Sequence, residues 1–264
     1  MKYKENCKIL EKTEICKNIF KFKISTENIA KEAKPGQFLE IKVSDEIEPF
    51  LRRPISIYSI CDNNIEFIFQ VKGKGTEILS KKKIGEMINI LGPLGNGTFN
   101  IKEYGTVAII GGGIGIFPLY ETAKRLKGKA KINTYLGFRN KDLITCEKEF
   151  NEVSDKLIVA TDDGSNNNKG YALDYLKKDD KPDIIMACGP LPMLKEIKKY
   201  AEENNIECQI SLEERMGCGI GACLGCAVKK ADSETTDYWH VCKAGPVFNI
   251  KNIEIWIERR KNEY

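Results

Sequence analysis

No segment of this chain is apolar for long enough to cross a bilayer. The longest candidate, Val107 to Leu119, is too short and is interrupted by four glycines and a proline. The N-terminus, Met1-Lys-Tyr-Lys-Glu-Asn-Cys7, carries charges where a secretory signal would need an apolar core. A soluble, cytoplasmic protein without membrane contact is expected. Charge of one sign is not in excess either: 42 basic residues face 38 acidic ones, and the lysines are spread along the chain. That leaves no footprint for nucleic acid. Internal repeats and low-complexity tracts are missing too. What remains is a globular composition, 42% hydrophobic and 30% charged, in 264 residues, enough for more than one domain.

The hydrophobic pattern divides the chain in three. Up to about Asn100 it has a period of two: Phe20, Phe22 and Ile24 alternate with lysines, as do Leu39, Ile41 and Val43 with Glu40 and Lys42, and a third run holds Ile65, Phe67, Phe69 and Val71. Turn formers such as Pro35-Gly36 and Gly92-Pro93-Leu-Gly95 separate the runs, so residues 1–101 read as an antiparallel barrel or sandwich. Residues 102–212 change grammar. Thr106–Ile110, Ile132–Leu136, Leu157–Thr161 and Ile184–Cys188 are short, nearly continuous apolar runs that alternate with helical stretches, Leu119–Leu126 and Met193–Glu203 being the clearest. Buried strands separated by helices indicate a parallel α/β sheet. Residues 213–264 form a glycine- and cysteine-rich segment with a charged tail that reads as a fraying end.

Of the ten cysteines, Cys7, Cys16, Cys61, Cys146, Cys188 and Cys208 have no ligand spacing and read as small reduced thiols. The other four follow the pattern Cys218-x4-Cys223-x2-Cys226 with Cys242 fifteen residues further on. This is the plant-type spacing of a [2Fe–2S] cluster. Two irons and two sulfides need four converging thiolates, and a tight loop can wrap such a rhomb from three sides. Gly217, Gly219, Gly221 and Gly225 let the loop bend and bring N–H groups to the sulfurs. A structural zinc site is the rival, though it normally uses two C-x2-4-C pairs. The only histidine, His240, is expected at the surface or in a loop, and a Rieske centre would need two. Gly219, Ile220, Ala222 and Leu224 around the ligands are small or apolar and suit the core of an interface, the alternative being that they pack inward against the barrel.

Val107-Ala-Ile-Ile-Gly111-Gly112-Gly113-Ile-Gly115-Ile-Phe-Pro118 reads as strand, glycine turn and helix start, with Pro118 in the first helical turn. Such a turn admits a pyrophosphate against a helix N-terminus, although glycines also occur there for packing alone. Asp162 and Cys188-Gly189-Pro190 end later strands and would lie over the same cleft, where ligands of open α/β sheets bind. Cys188 is equally placed to touch a nicotinamide or to pack as a small residue. In the first segment, Leu51-Arg52-Arg53-Pro54-Ile55-Ser56 sets forked donors and a hydroxyl beside a strand, and Gly73-Lys-Gly75-Thr76 offers a second phosphate loop. Either motif alone could be a surface turn.

Together these motifs resemble the ferredoxin reductase-like flavoproteins, a barrel with R-x-x-S followed by a nucleotide domain with G-x-G-x-x-P and C-G-P. The run Glu213-Glu-Arg-Met-Gly-Cys218-Gly-Ile-Gly-Ala-Cys223, with Val241-Cys-Lys-Ala-Gly-Pro-Val-Phe248, is similar to the electron-transfer subunits of NAD-dependent (class 1B) dihydroorotate dehydrogenase. The resemblance runs from about Cys7 to Phe248. It implies FAD held by Arg53, Pro54, Ile55 and Ser56, by Ile68, Phe69 and Gln70, and by Gly75 and Thr76. It implies NAD at Gly111, Gly112, Gly113, Gly115, Asp162, Cys188, Gly189 and Pro190, and a [2Fe–2S] cluster on Cys218, Cys223, Cys226 and Cys242. No catalytic acid or base is assigned. Gln70 and Ala244 stand where the family commonly has Arg and Asp. The implied partner is an FMN-containing catalytic subunit that oxidises dihydroorotate in pyrimidine (UMP) biosynthesis, in a heterotetramer of two of each. Nothing in the chain itself looks like a dihydroorotate site. A related NAD(P)H:ferredoxin or sulfide-linked oxidoreductase subunit shares the layout, though some of those replace one cluster cysteine by Asp. A zinc-stabilised binding module is the reading without redox function.

Overall fold

The alternating runs close into a barrel. Its strands are β1 (Tyr3–Cys16), β2 (Ile19–Ser25), β3 (Phe38–Lys42), β4 (Arg53–Cys61), β5 (Asn64–Gln70) and β6 (Met87–Leu94), hydrogen-bonded in the order β1-β2-β5-β4-β3-β6. The computed structural model describes residues 1–231 and 237–255, and the charged tail lies outside them. Each strand turns alternate side chains inward. Phe22, Ile24, Leu39, Ile41, Ile65 and Phe67 fill the interior with no solvent exposure. Phe22 and Phe67 face each other across β2 and β5, with ring centroids 5.6 Å apart. Two short helices complete the unit, α1 (Ile29–Glu32) before β3 and α2 (Lys74–Lys81) between β5 and β6.

The second sheet has the order β14-β11-β10-β7-β8-β9. Its parallel members are β7 (Thr106–Gly112), β8 (Lys131–Phe138), β9 (Lys156–Thr161), β10 (Ile184–Cys188) and β11 (Glu207–Ser211). The helices α3 (Tyr120–Leu126), α4 (Glu147–Val153), α5 (Ala172–Leu176) and α6 (Leu191–Glu203) connect them. Residues 107–110 and 184–187 are wholly enclosed, as expected of strands covered on both faces. Pro118 does not open an α-helix. It lies in a 3-10 stretch, Gly113–Leu119, and the α-helix begins only at Tyr120. The glycine turn lies against the end of β10, and a 3-10 stretch leads from it into the helix, a common arrangement at α-helix N-termini.

The third segment is not self-contained. A hairpin of β12 (Ala227–Lys229) and β13 (Tyr238–His240) leads through α7 (Val241–Ala244) to β14 (Val247–Asn249). The last strand adds itself antiparallel to β11, pairing Val247 with Ser211 and Phe248 with Ile210. His240 ends β13 half-buried rather than at the surface, with Nδ1 enclosed and without a hydrogen-bond partner. Among the described residues, no helix is long and apolar enough to cross a membrane.

Barrel and sheet meet at a polar joint set in aromatic packing. Tyr58 on the outer face of β4 stacks on Tyr120, 4.5 Å between centroids and 11° between planes. Beside it Glu121, with no exposure, accepts from the Ile60 N–H at 2.9 Å and from the Ser59 hydroxyl at 3.4 Å. Lys124 and Arg125, one turn along α3, hold the same carboxylate at 3.2 and 2.6 Å. Removing Glu121 would leave the buried Ile60 N–H without an acceptor, a loss of about 1–3 kcal/mol. The Glu121→Ala chain should therefore unfold at a correspondingly lower urea concentration. An unchanged midpoint would remove the joint from this account.

Candidate functional site

The chain runs from β7 outward to β8 and β9, then returns to lay β10 on the other side of β7. The connections from β7 and β10 therefore leave in opposite directions and open a crevice beyond the carboxyl ends of these strands, the place where open α/β sheets bind ligands. A cleft of about 1040 Å³ occupies that place. Gly112, Gly113 and Gly115 line it after β7, Gly189 and Pro190 after β10, and Asp162 after β9. Arg139 and Tyr171 line it from the sheet side, and Gln70 and Lys72 from the barrel. Six of the eight residues expected to hold a dinucleotide thus face one cavity.

Two do not. Cys188 is 1% exposed, and burial pushes its thiol well above the ordinary range, so it packs inside the sheet and does not line the cleft. Gly111 is likewise enclosed, with Ile116 folded over it. The cradle itself depends on backbone contact. A Cβ on Gly115 would lie 2.6 Å from the Gly189 Cα and 2.8 Å from the Cys188 carbonyl oxygen, so only glycine lets the two loops touch. Gly113, at φ +55°, has nothing within 4 Å of where a Cβ would stand and presents bare backbone to the cleft.

On the barrel, β4 and the turn into α2 bring their two motifs together. The Arg53 guanidinium lies against the Gly75 Cα, where any Cβ would collide with it, and donates to the Leu51 carbonyl. Thr76 Oγ1 accepts from the Lys72 and Gly73 N–H groups at 3.0 and 3.2 Å and closes the turn. A forked cation beside the first turn of an eight-residue helix, whose N–H groups lack intrahelical acceptors, fits a pyrophosphate. Ser56 stands half-buried on the outer face of β4, while Ile55, Ile68 and Phe69 are buried as support. Arg52 is spent on structure: Nη1 donates to the Glu40 and Asn89 carbonyls, both at 3.1 Å, and Nη2 to Asn89 Oδ1.

The four clustered cysteines arrive as two pairs, Cys218 with Cys223 and Cys226 with Cys242, each pair within hydrogen-bonding reach. Two pairs suit a two-iron rhomb, in which each iron has two bridging sulfides and takes two thiolates. No three His, Cys, Asp or Glu side chains among the described residues ring a point fit for one metal ion. Burial works against ionisation of Cys218. The N–H groups of Ile220, Cys223 and Ala222, at 3.3 to 3.5 Å from its sulfur, outweigh that and bring the thiol down to about 6. Burial and the neighbouring Cys226 push the Cys242 thiol up. The Cys226 sulfur accepts from the Cys242 N–H at 3.4 Å. All ten cysteines are unbridged.

Beyond its internal bonds, the cluster loop is fastened to the barrel. Asn96 donates to the Lys243 carbonyl at 3.2 Å and Gly97 to that of Gly245 at 2.9 Å, and Gly219 lies on the side chain of Glu40. Of the residues expected at an interface, Gly219 therefore faces inward, whereas Ile220 and Leu224 are 46% and 58% exposed. Glu40, Glu121 and Lys72 carry no motif in the sequence. Only their place in the fold brings them to the site.

Three family models divide the chain: an oxidoreductase FAD-binding domain over residues 6–99, an oxidoreductase NAD-binding domain over 109–199, and the iron–sulfur cluster binding domain of dihydroorotate dehydrogenase B over 213–254. The dihydroorotate dehydrogenase B (NAD(+)) electron transfer subunit of Lysinibacillus sphaericus is 42% identical, over 92% of this chain and 96% of its own. That of Bacillus mycoides is 41% identical, over 96% and 99%. A solved structure of an NADH-dependent reduced ferredoxin–NADP oxidoreductase, described for flavin-based electron bifurcation, superposes with a TM-score of 0.84 at 34% identity, covering 95% of this chain and 90% of that one. The cytochrome b5 reductase domain of Ulva prolifera nitrate reductase shares the fold, with a TM-score of 0.60 at 19% identity over 73% of this chain and 89% of its own.

Cys223→Ser should abolish iron–sulfur absorption and leave FAD bound, because the two groups of residues lie on separate segments. Equal iron content in variant and parent would refute the ligand set. Arg53→Ala should weaken FAD retention by about 1.5–3 kcal/mol, the worth of a hydrogen bond to a charged group, with the iron content untouched. Unchanged FAD affinity across a salt titration would return Arg53 to the role of a surface turn.

Proposed function

The chain belongs to the family of the electron transfer subunits of dihydroorotate dehydrogenase B, and on that premise we propose that it carries electrons between NAD and a separate FMN-containing catalytic subunit that oxidises dihydroorotate for UMP synthesis. The observation that carries this reading is the adjacency of three binding regions in one chain: the dinucleotide cleft, the outer face of β4 and the paired thiols of the cluster loop. Bound FAD exchanges electrons in pairs with a nicotinamide and singly with an iron–sulfur cluster, which is why a flavin site belongs between the other two.

The chain's own residues position and insulate. Arg53, with Pro54 and Ile55 behind it, and the start of α2 at Gly75 and Thr76 hold the FAD pyrophosphate. Ser56 offers a hydrogen bond to the ring system, and Ile68, Phe69 and Gln70 support it. Gly112, Gly113 and Gly115, with Gly189 and Pro190, seat the dinucleotide, and Asp162 borders it. Cys218, Cys223, Cys226 and Cys242 hold the [2Fe–2S] cluster, and the N–H groups on Cys218 stabilise its thiolate form. The three units are taken as residues 1–101, 102–212 and 213–264, the last of them lending β14 to the sheet of the second. Ile220 and Leu224, apolar and exposed beside the thiols, form the face that meets the catalytic subunit in an assembly of two of each. Ten unbridged thiols fit the reducing setting of a cytoplasmic enzyme subunit.

The test combines the FAD- and iron-loaded chain with the catalytic flavoprotein, dihydroorotate and NAD+. NADH should form only when both proteins are present. An NADH:ferredoxin subunit is the second reading, favoured by the bifurcating-enzyme structure, and it predicts reduction of ferredoxin and no response to dihydroorotate. Leu224→Glu should weaken association with the catalytic subunit by tenfold or more while the chain alone still reduces a dye with NADH. Undiminished association would place the docking face elsewhere.

A further inference from the structure

Glu40 is a buried acid for which neither the folding of the barrel nor the binding of cofactors has a use. Leu39 and Ile41 beside it on β3 point into the barrel, so its side chain emerges on the outer face, opposite Pro54 of the R-P-I-S segment. It is 1% exposed, and neither carboxyl oxygen has a hydrogen-bond partner. Arg52 is near, yet its guanidinium is committed to main-chain carbonyls and to Asn89. A Cβ on Gly219 would lie 2.6 Å from the Glu40 Cγ and 2.7 Å from Oε1, so the carboxyl group rests on the cluster loop one residue past Cys218. An unpaired buried carboxyl is costly to keep, and an apolar side chain would fill the same space without that cost.

We propose that Glu40 tunes the iron–sulfur cluster, its carboxylate on the Gly219 turn opposing the extra negative charge that the cluster takes up on reduction. Charge acts strongly across a short, dry distance, and groups around the ligands set the potential of such clusters. The other charges facing Glu40 are Arg52 and Arg53 from β4, which favour its ionised form, and the Cys218 thiol from the loop, which disfavours it. Burial outweighs the arginines and pushes the carboxyl up to about 7, so its charge is present on the alkaline side. The inference rests on the cluster assignment made above.

The test is a redox titration of the FAD- and iron-loaded chain at mildly alkaline pH, following the electron paramagnetic resonance of the reduced cluster. Glu40→Gln keeps the shape and removes the charge. It should make the cluster easier to reduce by about tenfold, which is about 59 mV for a one-electron couple, with a smaller change in the flavin couple. An unchanged cluster potential at full iron content overturns the proposal and leaves Glu40 a packing residue. A larger shift in the flavin than in the cluster overturns it as well. A parent chain that binds no iron would overturn the cluster assignment itself. If the glutamine variant fails to take up iron, Glu40→Asp decides: it keeps the charge but withdraws it from Gly219, and has to shift the potential the same way by less than tenfold. No shift there also overturns the proposal.

Discussion

How the outer face of the barrel meets the dinucleotide cleft depends on the joint around Glu121. A hydride moves only between groups in contact, so a barrel and a sheet that swung freely would hold their ligands and exchange nothing. The joint prevents this by spending one fully buried carboxylate on both units: main-chain and hydroxyl donors from β4 on one side, two cations from α3 on the other. The Tyr58–Tyr120 stack next to it supplies the apolar area, and the carboxylate supplies the register. Apolar packing alone would tolerate sliding. A hydrogen bond to a single N–H does not.

A second fastening works by topology. The cluster segment leaves the sheet after β11 and returns to it as β14, so both of its ends are anchored to one strand. Between those ends it is laced to the last barrel loop by main-chain hydrogen bonds and by the Gly219–Glu40 contact. The thiols are thereby gathered on a scaffold built from the other two units, while their own short hairpin, which pairs Ala227 with His240, sets Cys226 beside Cys242.

Much of this was legible in the residue order. Period-two alternation gave the barrel because its interior is uniformly apolar, and continuous apolar runs gave the parallel sheet because helices cover both faces. The cysteine spacing and the glycine turn stand out because their chemistry needs particular residues at particular intervals. Elsewhere the letters misled for identifiable reasons. Glu40 occupies an ordinary polar position in an alternating strand, and nothing local tells that another segment covers that face. Glu121, Lys124 and Arg125 have the spacing of a solvated helical surface. Cys188 sits at a strand end that looks open, but the loop after it turns the cleft toward Gly189 and Pro190. Val247–Asn249 is too short to be seen as a strand, and it forms only because β11 offers it an edge.

That last strand has a consequence for the order in which the molecule is made. The flank of β11 at Gln209, Ile210 and Ser211 stays without a neighbour until residues 247–249 have been synthesised. Until then the nascent chain displays an open apolar edge of the kind that pairs with other chains. Completing that edge also ties the far end of the cluster segment back to the sheet. A product cut short anywhere before Val247 would therefore be sticky, with the edge of β11 left open and the cluster segment fastened to the sheet at one end only.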